Sequence, residues 1–185
     1  KAGGNVDQAR TDNGCTPLIS ASQNGNINTV KLLIGAGCNV NQAATADGRS
    51  PLWAASQEGN VATVKVLLKA GANVNQTETT NGAPPLLIAS ANGNVDLVNV
   101  LIQAGGTVNQ GRTADGVTSL YAASQEGNVA AVKVLLKAGG NVNQARTDTG
   151  STPLWIASQK GNVAIVKVLL KAGGNVNQAR TTDGI

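Results

Sequence analysis

The amino-acid sequence predicts an all-α solenoid of stacked helix-turn-helix repeats with projecting hairpin loops. A motif restarts every 34 residues, and residues that begin and end helices recur at fixed places in each copy. Aromatic residues make up only 2% of the 185 residues. A core must then be built from Ala, Val, Leu and Ile, which suits closely packed helices.

The repeat boundaries follow from restarts at Thr11, Thr45, Thr79, Thr113 and Thr147. We expect one array over 1–185 with five complete repeats, numbered one to five: 11–44, 45–78, 79–112, 113–146 and 147–180. Partial repeats precede and follow them, at 1–10 and 181–185. Because both ends are partial repeats without a polar cap, we expect either a longer array or head-to-tail self-association through the uncapped ends.

In four of the five repeats the first helix is preceded by a hydroxyl residue and begins with proline or serine, as repeat five illustrates. The Thr152 hydroxyl can cap the helix, and Pro153 suits the first helical position because the N–H that it lacks would have been unpaired there. The helix is predicted to end before Gly161.

The second helix of repeat five is predicted to begin after Asn162 as its capping residue and to end at Gly173. Lys171 in its last turn favours the negative end of the helix dipole. One apolar stripe runs along it: Val163, Val166, Leu169 and Leu170. The segment that follows lacks a helical period and predicts an extended excursion ending in a tight Asp-Gly turn.

These motifs, G-x-T-P-L-x-x-A, then G-N-x-x-x-V-x-x-L-L, then A-G-x-N-V-N, resemble the ankyrin repeat over the whole chain. The resemblance implies a non-enzymatic scaffold that binds another protein through its hairpin tips and the concave surface of its first helices, with no cofactor. The family's usual repeat is one residue shorter. The family also has a histidine after Thr-Pro-Leu, and this place holds other residues here: Ile19, Trp53, Leu87, Tyr121 and Trp155.

Losing the histidine removes a polar link that the family forms between repeats, and we expect apolar packing to replace it. The five side chains at this place are therefore interpreted chiefly as packing between repeats. The alternative is that the rings of Trp53, Tyr121 and Trp155 stay partly exposed as binding anchors, since Trp and Tyr are enriched at interface hot spots.

Sequence differences between the repeats gather at the turns and along the first helices, whereas the second helices are nearly identical. Such diversity over a constant scaffold predicts a partner-binding surface. The predicted binding residues are Asp12, Asn13, Cys15, Gln23, Asn24, Asp47, Arg49, Trp53, Gln57, Glu58, Asn81, Ala83, Asn92, Asp115, Val117, Tyr121, Gln125, Glu126, Ser151, Trp155, Gln159 and Lys160.

Positive charge offers a rival function, binding to nucleic acid or another anionic surface. The formal net charge is +4, and loop arginines could add to a lysine-rich back face that we otherwise expect only to be solvated. These residues are Lys65, Lys69, Lys133, Lys137, Lys167, Lys171, Arg112, Arg146 and Arg180. The rival is disfavoured because the charges are split between two places and because Glu58 and Glu126 interrupt the front. A third alternative is a structural segment of a longer array without a dedicated partner.

The sequence offers little for catalysis or for metal binding. It contains no histidine, and its glycine pairs such as Gly139-Gly140 follow helices without a Gly-Lys-Ser/Thr pattern. Cys15 and Cys38 are interpreted as free thiols, because two cysteines make no disulfide framework. The absence of that framework, of a signal peptide and of an apolar stretch long enough for membrane insertion favours an intracellular location.

The origin of the near-identical second, fourth and fifth repeats stays open between an engineered consensus and recent duplication. Pro84-Pro85, Asn99, Gly111 and the free cysteines favour a natural sequence, because a designer would usually remove such residues.

Overall fold

The computed structural model describes residues 4–178, so Arg180 and the predicted partial repeat 181–185 lie outside the described residues. The described chain contains ten helices and no strand. The prediction of an all-α solenoid of stacked helix-turn-helix repeats is confirmed.

Each repeat contributes a first helix of seven residues and a second helix of nine. The first helices are α1 (Pro17–Gln23), α3 (Pro51–Gln57), α5 (Pro85–Ala91), α7 (Ser119–Gln125) and α9 (Pro153–Gln159). The second helices are α2 (Ile27–Gly35), α4 (Val61–Lys69), α6 (Val95–Gln103), α8 (Val129–Lys137) and α10 (Val163–Lys171). None of these helices is long and apolar enough to cross a bilayer.

The chain divides into two compact units, Lys1–Pro85 and Leu86–Ile185. In the first unit α1 packs against α3 and α2 against α4. In the second unit α7 packs against α9, and α8 packs against both α6 and α10. Within each unit, therefore, first helices stack on first helices and second helices on second helices.

Small aliphatic side chains form the core of each unit, as the composition predicts. Leu18, Leu52 and Leu67 are fully buried in the first unit, and Leu120 and Leu135 are fully buried in the second. Burying a leucine side chain contributes about 1.5–3 kcal/mol, so a core without phenylalanine is adequate when repeats stack closely.

The first helices begin as predicted. The Thr152 hydroxyl accepts a hydrogen bond of 3.2 Å from the backbone N–H of Trp155, and Pro153 occupies the first turn. The hydroxyls at the start of three other first helices act in the same way: Thr16, Ser50 and Thr118. Such a cap is worth about 1 kcal/mol.

Asn162 is the N-cap residue of α10, as predicted, but its side chain is used elsewhere. Asn162 stands at the start of α10 but makes no capping hydrogen bond. Its side-chain amide nitrogen instead donates a hydrogen bond of 3.0 Å to the carbonyl oxygen of Ser124 in the preceding repeat. The last carbonyls of a helix such as α7 have no intrahelical partner, and the Asn162 amide supplies one. Asn60 likewise donates 2.8 Å to the carbonyl oxygen of Gln23.

The predicted helix stops are confirmed. Gly161 and Gly173 have φ angles of +70° and +88° and follow the ends of α9 and α10. This left-handed backbone conformation is strained for any residue with a Cβ atom, so glycine ends each helix at little cost.

Asparagines in the loops after the second helices join consecutive repeats. The side-chain amide of Asn143 donates a hydrogen bond of 3.1 Å to the carbonyl oxygen of Gly173. Its side-chain oxygen accepts a hydrogen bond of 2.8 Å from the backbone N–H of Asn175. The same two bonds join Asn41 to Gly71 and Asn73, and Asn109 to Gly139 and Asn141. The repeats are thus linked by polar contacts that the sequence analysis did not anticipate.

Candidate partner-binding surface

The side chains at the place of the family's histidine pack between repeats. Trp53 and Tyr121 are only 5% and 2% exposed, and Ile19 and Leu87 are equally well buried. Trp155 differs because it is half-buried. The packing interpretation therefore describes four of the five places, and Trp155 alone presents a partly accessible ring.

The expectation that apolar packing replaces the lost histidine link is incomplete, because polar links also form at two of the five places. The indole N–H of Trp53 donates 3.0 Å to the carbonyl oxygen of Ala83 in the next repeat. The Tyr121 hydroxyl lies 3.3 Å from the Ser151 hydroxyl, also one repeat further on. Both rings thus pack and form a polar link, because indole and phenol each carry a hydrogen-bonding group beside a large apolar surface.

The place directly after the turn glycine is more enclosed than a variable binding position would be. Ala83, Val117 and Ser151 are buried, and Cys15 and Arg49 are half-buried. The contacts from Trp53 to Ala83 and from Tyr121 to Ser151 show the reason, since rings of the preceding repeat reach this place. At Ala83 and Ser151, therefore, the residue is in contact with the ring of the preceding repeat and is not a free surface position.

Two arginines cover the buried rings. The Arg49 guanidinium lies 4.7 Å from the centre of the Trp53 ring and forms an ion pair of 3.1 Å with Asp47. The Arg146 guanidinium lies 5.7 Å from the centre of the Tyr121 ring. A guanidinium over an aromatic face is attracted by the electron density of the ring.

The turns themselves are closed by side-chain oxygens. The carboxylate of Asp47 accepts a hydrogen bond of 3.1 Å from the backbone N–H of Arg49. The side-chain oxygen of Asn13 accepts one of 2.9 Å from the backbone N–H of Cys15. A backbone bond from Gly48 N–H to the Ala44 carbonyl, 2.9 Å long, spans the same turn. The predicted turn is therefore present at Gly48, where it is closed across five residues.

Asp115 is the most connected carboxylate at the turns of the second unit. It is 9% exposed and forms an ion pair with Arg112. It also accepts a hydrogen bond of 3.1 Å from the guanidinium of Arg146, which forms a second ion pair with Asp148. The hydrogen bond from Arg112 is the main cause that holds the pKa of Asp115 below its usual range, against the effect of burial. The predicted binding residue Asp115 is thus committed to an ion network that joins two turns.

Glu78 closes the turn of repeat three and was missed by the sequence analysis. Its buried carboxylate accepts hydrogen bonds from the N–H groups of Thr80, Asn81 and Ala83, at 2.5, 3.0 and 3.0 Å. Burial opposes ionisation, but the hydrogen bonds from Ala83, Asn81 and Thr80 outweigh it and lower the pKa of Glu78. The one available signal was a glutamate at a place where four other repeats, one of them partial, carry arginine.

In every repeat the residue just before the glycine that separates the two helices is exposed, as the binding prediction requires. This set, the helix-end residues, comprises Asn24, Glu58, Asn92, Glu126 and Lys160. The preceding residues Gln23 and Gln159 are exposed, Gln57 and Gln125 are half-buried, and Asp12 and Asn81 at the turns are exposed. The accessible part of the predicted surface therefore lies at the helix ends and the turn tips.

A groove in the first unit brings six predicted residues of repeats one and two together. It has a volume of about 160 Å³ and is lined by Asn13, Cys15, Gln23, Asp47, Arg49 and Gln57, among others. Burial is the main cause that raises the pKa of the Cys15 thiol, which keeps this thiol protonated and weakly reactive. The groove is suited to hydrogen bonding by amide and guanidinium groups.

A groove in the second unit brings together another six predicted residues, from repeats four and five. It has a volume of about 350 Å³ and is lined by Tyr121, Gln125, Ser151, Trp155, Gln159 and Lys160, together with Arg146 and Thr149. Trp155 contributes a half-buried ring and Lys160 an exposed ammonium group. In the described chain no group of His, Cys, Asp and Glu residues is arranged to hold a metal ion.

The comparisons with known proteins agree with this architecture. A family model described as ankyrin repeats in three copies matches residues 2–78 and 86–180. A search of curated protein sequences gives no match. Ankyrin repeats generally mediate protein–protein interaction. Since the two matched segments cover most of the chain, this protein belongs to the ankyrin repeat family.

Proposed function

We propose that this chain is a non-enzymatic scaffold that binds a protein partner through the first-helix surface. This surface comprises the helix-end residues, the glutamines that precede them, and the residues that line the two grooves. The observation that carries the proposal is the coincidence of sequence variation with exposure. The five helix-end residues differ in charge between repeats whose second helices are nearly identical, and all five are exposed.

The contacts beneath this surface support the proposal, because they make it rigid. Trp53 and Tyr121 are buried and hydrogen bonded to the following turns, and Arg49 and Arg146 pack over their rings. Side chains that already occupy one conformation lose little entropy when a partner binds. The variable residues above them can therefore set specificity at little cost in affinity.

Charge reversal on two surfaces tests the proposal. The first-helix variant carries Glu58→Lys, Glu126→Lys and Lys160→Glu, and a second variant, the control, reverses three charges on the second helices with Lys65→Glu, Lys133→Glu and Lys167→Glu. All six positions are exposed, so each change should cost within about 0.5 kcal/mol of stability. In affinity capture with quantitative mass spectrometry, we expect the first-helix variant to lose partners that the wild type and the control retain.

The rival function, binding to nucleic acid or another anionic surface through lysine and arginine, makes the opposite forecast. It requires the control variant to lose all captured material and the first-helix variant to lose none. That result would contradict the proposal. The described arginines support the rival poorly, because Arg10, Arg49, Arg112 and Arg146 each pair with an aspartate.

A second candidate function is head-to-tail self-association, and exposed apolar residues at repeat five favour it. Val176 is 70% exposed, whereas Val74 at the same place in repeat two is 9% exposed. Leu170 is 44% exposed, and with Trp155 and Val176 it lines a groove of about 320 Å³. Repeat one exposes Leu32 at 75%. We propose that Leu32 of a second copy packs in this groove.

A further inference from the structure

The second helices carry more positive charge than the chain as a whole. They contain seven lysines and one acidic residue, Asp96, which gives a formal charge of +6 against +4 for the entire sequence. The lysines are Lys31, Lys65, Lys69, Lys133, Lys137, Lys167 and Lys171, and all of them are exposed.

Most acidic side chains of the described chain are engaged elsewhere, so they do not pair with these lysines. Every ion pair in the described chain joins an arginine to an aspartate at a turn. Glu78 is buried within its own turn, and Asp7 accepts from the N–H of Asn39. The turns are therefore close to neutral, and the excess charge lies on the second helices.

The lysine arrangement works against the stability of the helices themselves. Lys133 and Lys137 are separated by four residues, as are Lys167 and Lys171 on the adjacent helix α10. Like charges at this spacing lie about 5–6 Å apart and destabilise a helix by a few tenths of a kcal/mol. The lysines nearer the C-termini gain from the helix dipole, but Lys133 and Lys167 do not.

Folding does not require lysine at these places. Repeat three has Asn99 and Gln103 where the other repeats have lysine, and repeat one has Gly35. These repeats nevertheless form second helices of nine residues, the same length as in the other repeats. A recurring, uncompensated charge that the fold can do without points to an external ligand of opposite charge.

An apolar furrow runs between the lysines. In the first unit, half-buried Ile34, Val66 and Ala70 lie between Lys31 and Lys69 and line a groove of about 380 Å³. The equivalent residues of the second unit are Leu136, Val168 and Ala172, between Lys133 and Lys171, with Leu136 and Val168 half-buried. The ligand should therefore bring apolar groups as well as negative charge.

We propose that the exposed face of the second helices within each unit, formed by the lysines of that unit and the apolar residues between them, binds an acidic segment of a partner protein that also carries aliphatic side chains. Carboxylates would meet the lysine ammonium groups, and the aliphatic groups would fill the furrow. A nucleic acid backbone offers phosphates but nothing aliphatic for the furrow, and the surface has no aromatic residue on which bases could stack. This surface is separate from the first-helix surface and serves a different partner.

The test uses a fluorescein-labelled synthetic peptide with leucine at every third or fourth position and glutamate at most others. Its affinity is measured by fluorescence anisotropy at low and physiological salt. One variant replaces all seven second-helix lysines with glutamine. A control removes the same net charge from the first-helix surface: Lys160→Glu, Gln23→Glu, Gln57→Glu, Gln125→Glu, Gln159→Glu and Asn24→Asp. Thermal unfolding establishes that both variants are folded.

We expect the lysine variant to bind the peptide about tenfold more weakly or worse, because several ion pairs of up to about 1 kcal/mol each are lost. The control should stay within about twofold of the wild type. A peptide with serine in place of leucine should bind more weakly than the parent peptide.

Three outcomes would overturn the proposal. Equal losses in the lysine variant and the control would mean that only net charge matters. Equal binding of the serine peptide would show that the furrow is not used. Tighter binding to a short DNA duplex, or to phosphatidylserine vesicles, than to the peptide would assign the surface to a different class of ligand.

Discussion

The indole N–H of Trp53 donates a hydrogen bond of 3.0 Å to the carbonyl oxygen of Ala83, one repeat further along the chain. This bond joins a first helix to the next turn. It combines with burial of the ring, which is only 5% exposed, so a single side chain supplies both packing and a polar link between repeats.

Replacing Trp53 should therefore be costly. We expect Trp53→Ala to lower the free energy of unfolding by about 3–5 kcal/mol, as for other large-to-small core changes, in urea titrations followed by circular dichroism. Trp155→Ala is the matched control. Although the sequence pattern alone predicts about 3 kcal/mol or more if this ring is core, its half-burial lowers our expectation to about 1–2 kcal/mol. Equal costs at the two positions would contradict the difference in burial.

Glu78 should make stability depend on pH. Because its pKa is lowered in the folded state, its contribution is fully present above the unfolded value of about 4.3 and is lost as pH falls through the folded pKa. We expect Glu78→Gln to be less stable than the wild type at pH 7, with the difference shrinking as pH falls below about 4. Glu58→Gln, at an exposed helix end, is the control. A pH-independent difference for Glu78→Gln would show that the charge of Glu78 contributes nothing.

The loop asparagines should contribute measurably to the joint between repeats. Asn143→Ala removes two hydrogen bonds to repeat five, and we expect a loss of about 1–2 kcal/mol in the free energy of unfolding. The control is Asn177→Ala, at the same place in repeat five. It changes the same residue type without removing a bond between two described repeats. A cost no greater for Asn143 than for Asn177 would mean that these bonds merely replace bonds to water.

Self-association should depend on apolar residues of repeats one and five. If Leu32 of one copy meets the groove beside Leu170 of another, sedimentation at millimolar concentration should show oligomers that Leu170→Glu abolishes. Lys171→Glu, a neighbouring exposed position, should leave them intact. A wild-type chain that stays monomeric throughout this range would contradict the proposal.

Helix positions were predictable from the sequence because their signals are local. The Thr152 hydroxyl, the Pro153 ring and the φ angles available to Gly161 and Gly173 act within a few residues of the helix ends that they define. These four residues predicted where helices begin and end, and the structure agrees.

The partners of polar side chains were less predictable, because they belong to other repeats. The Asn162 amide reaches Ser124, a residue 38 positions earlier, and Trp53 reaches 30 positions ahead. No local pattern separates an asparagine that caps its own helix from one that caps a neighbour. For the same reason, variation at Ala83 and Val117 resembled surface diversity although both residues are buried.

The fluorescence of Trp155 tests the central claim most directly, that a protein partner occupies the first-helix surface. In a Trp53→Phe background Trp155 is the one remaining tryptophan, and it lines the groove with Gln159 and Lys160. Titration with a partner recovered by capture, itself free of tryptophan or labelled so that its emission is separable, should shift or quench Trp155 emission, with saturation at the binding stoichiometry. The Lys160→Glu change should weaken this response. Binding that proceeds at full affinity while Trp155 emission stays unchanged would contradict the claim.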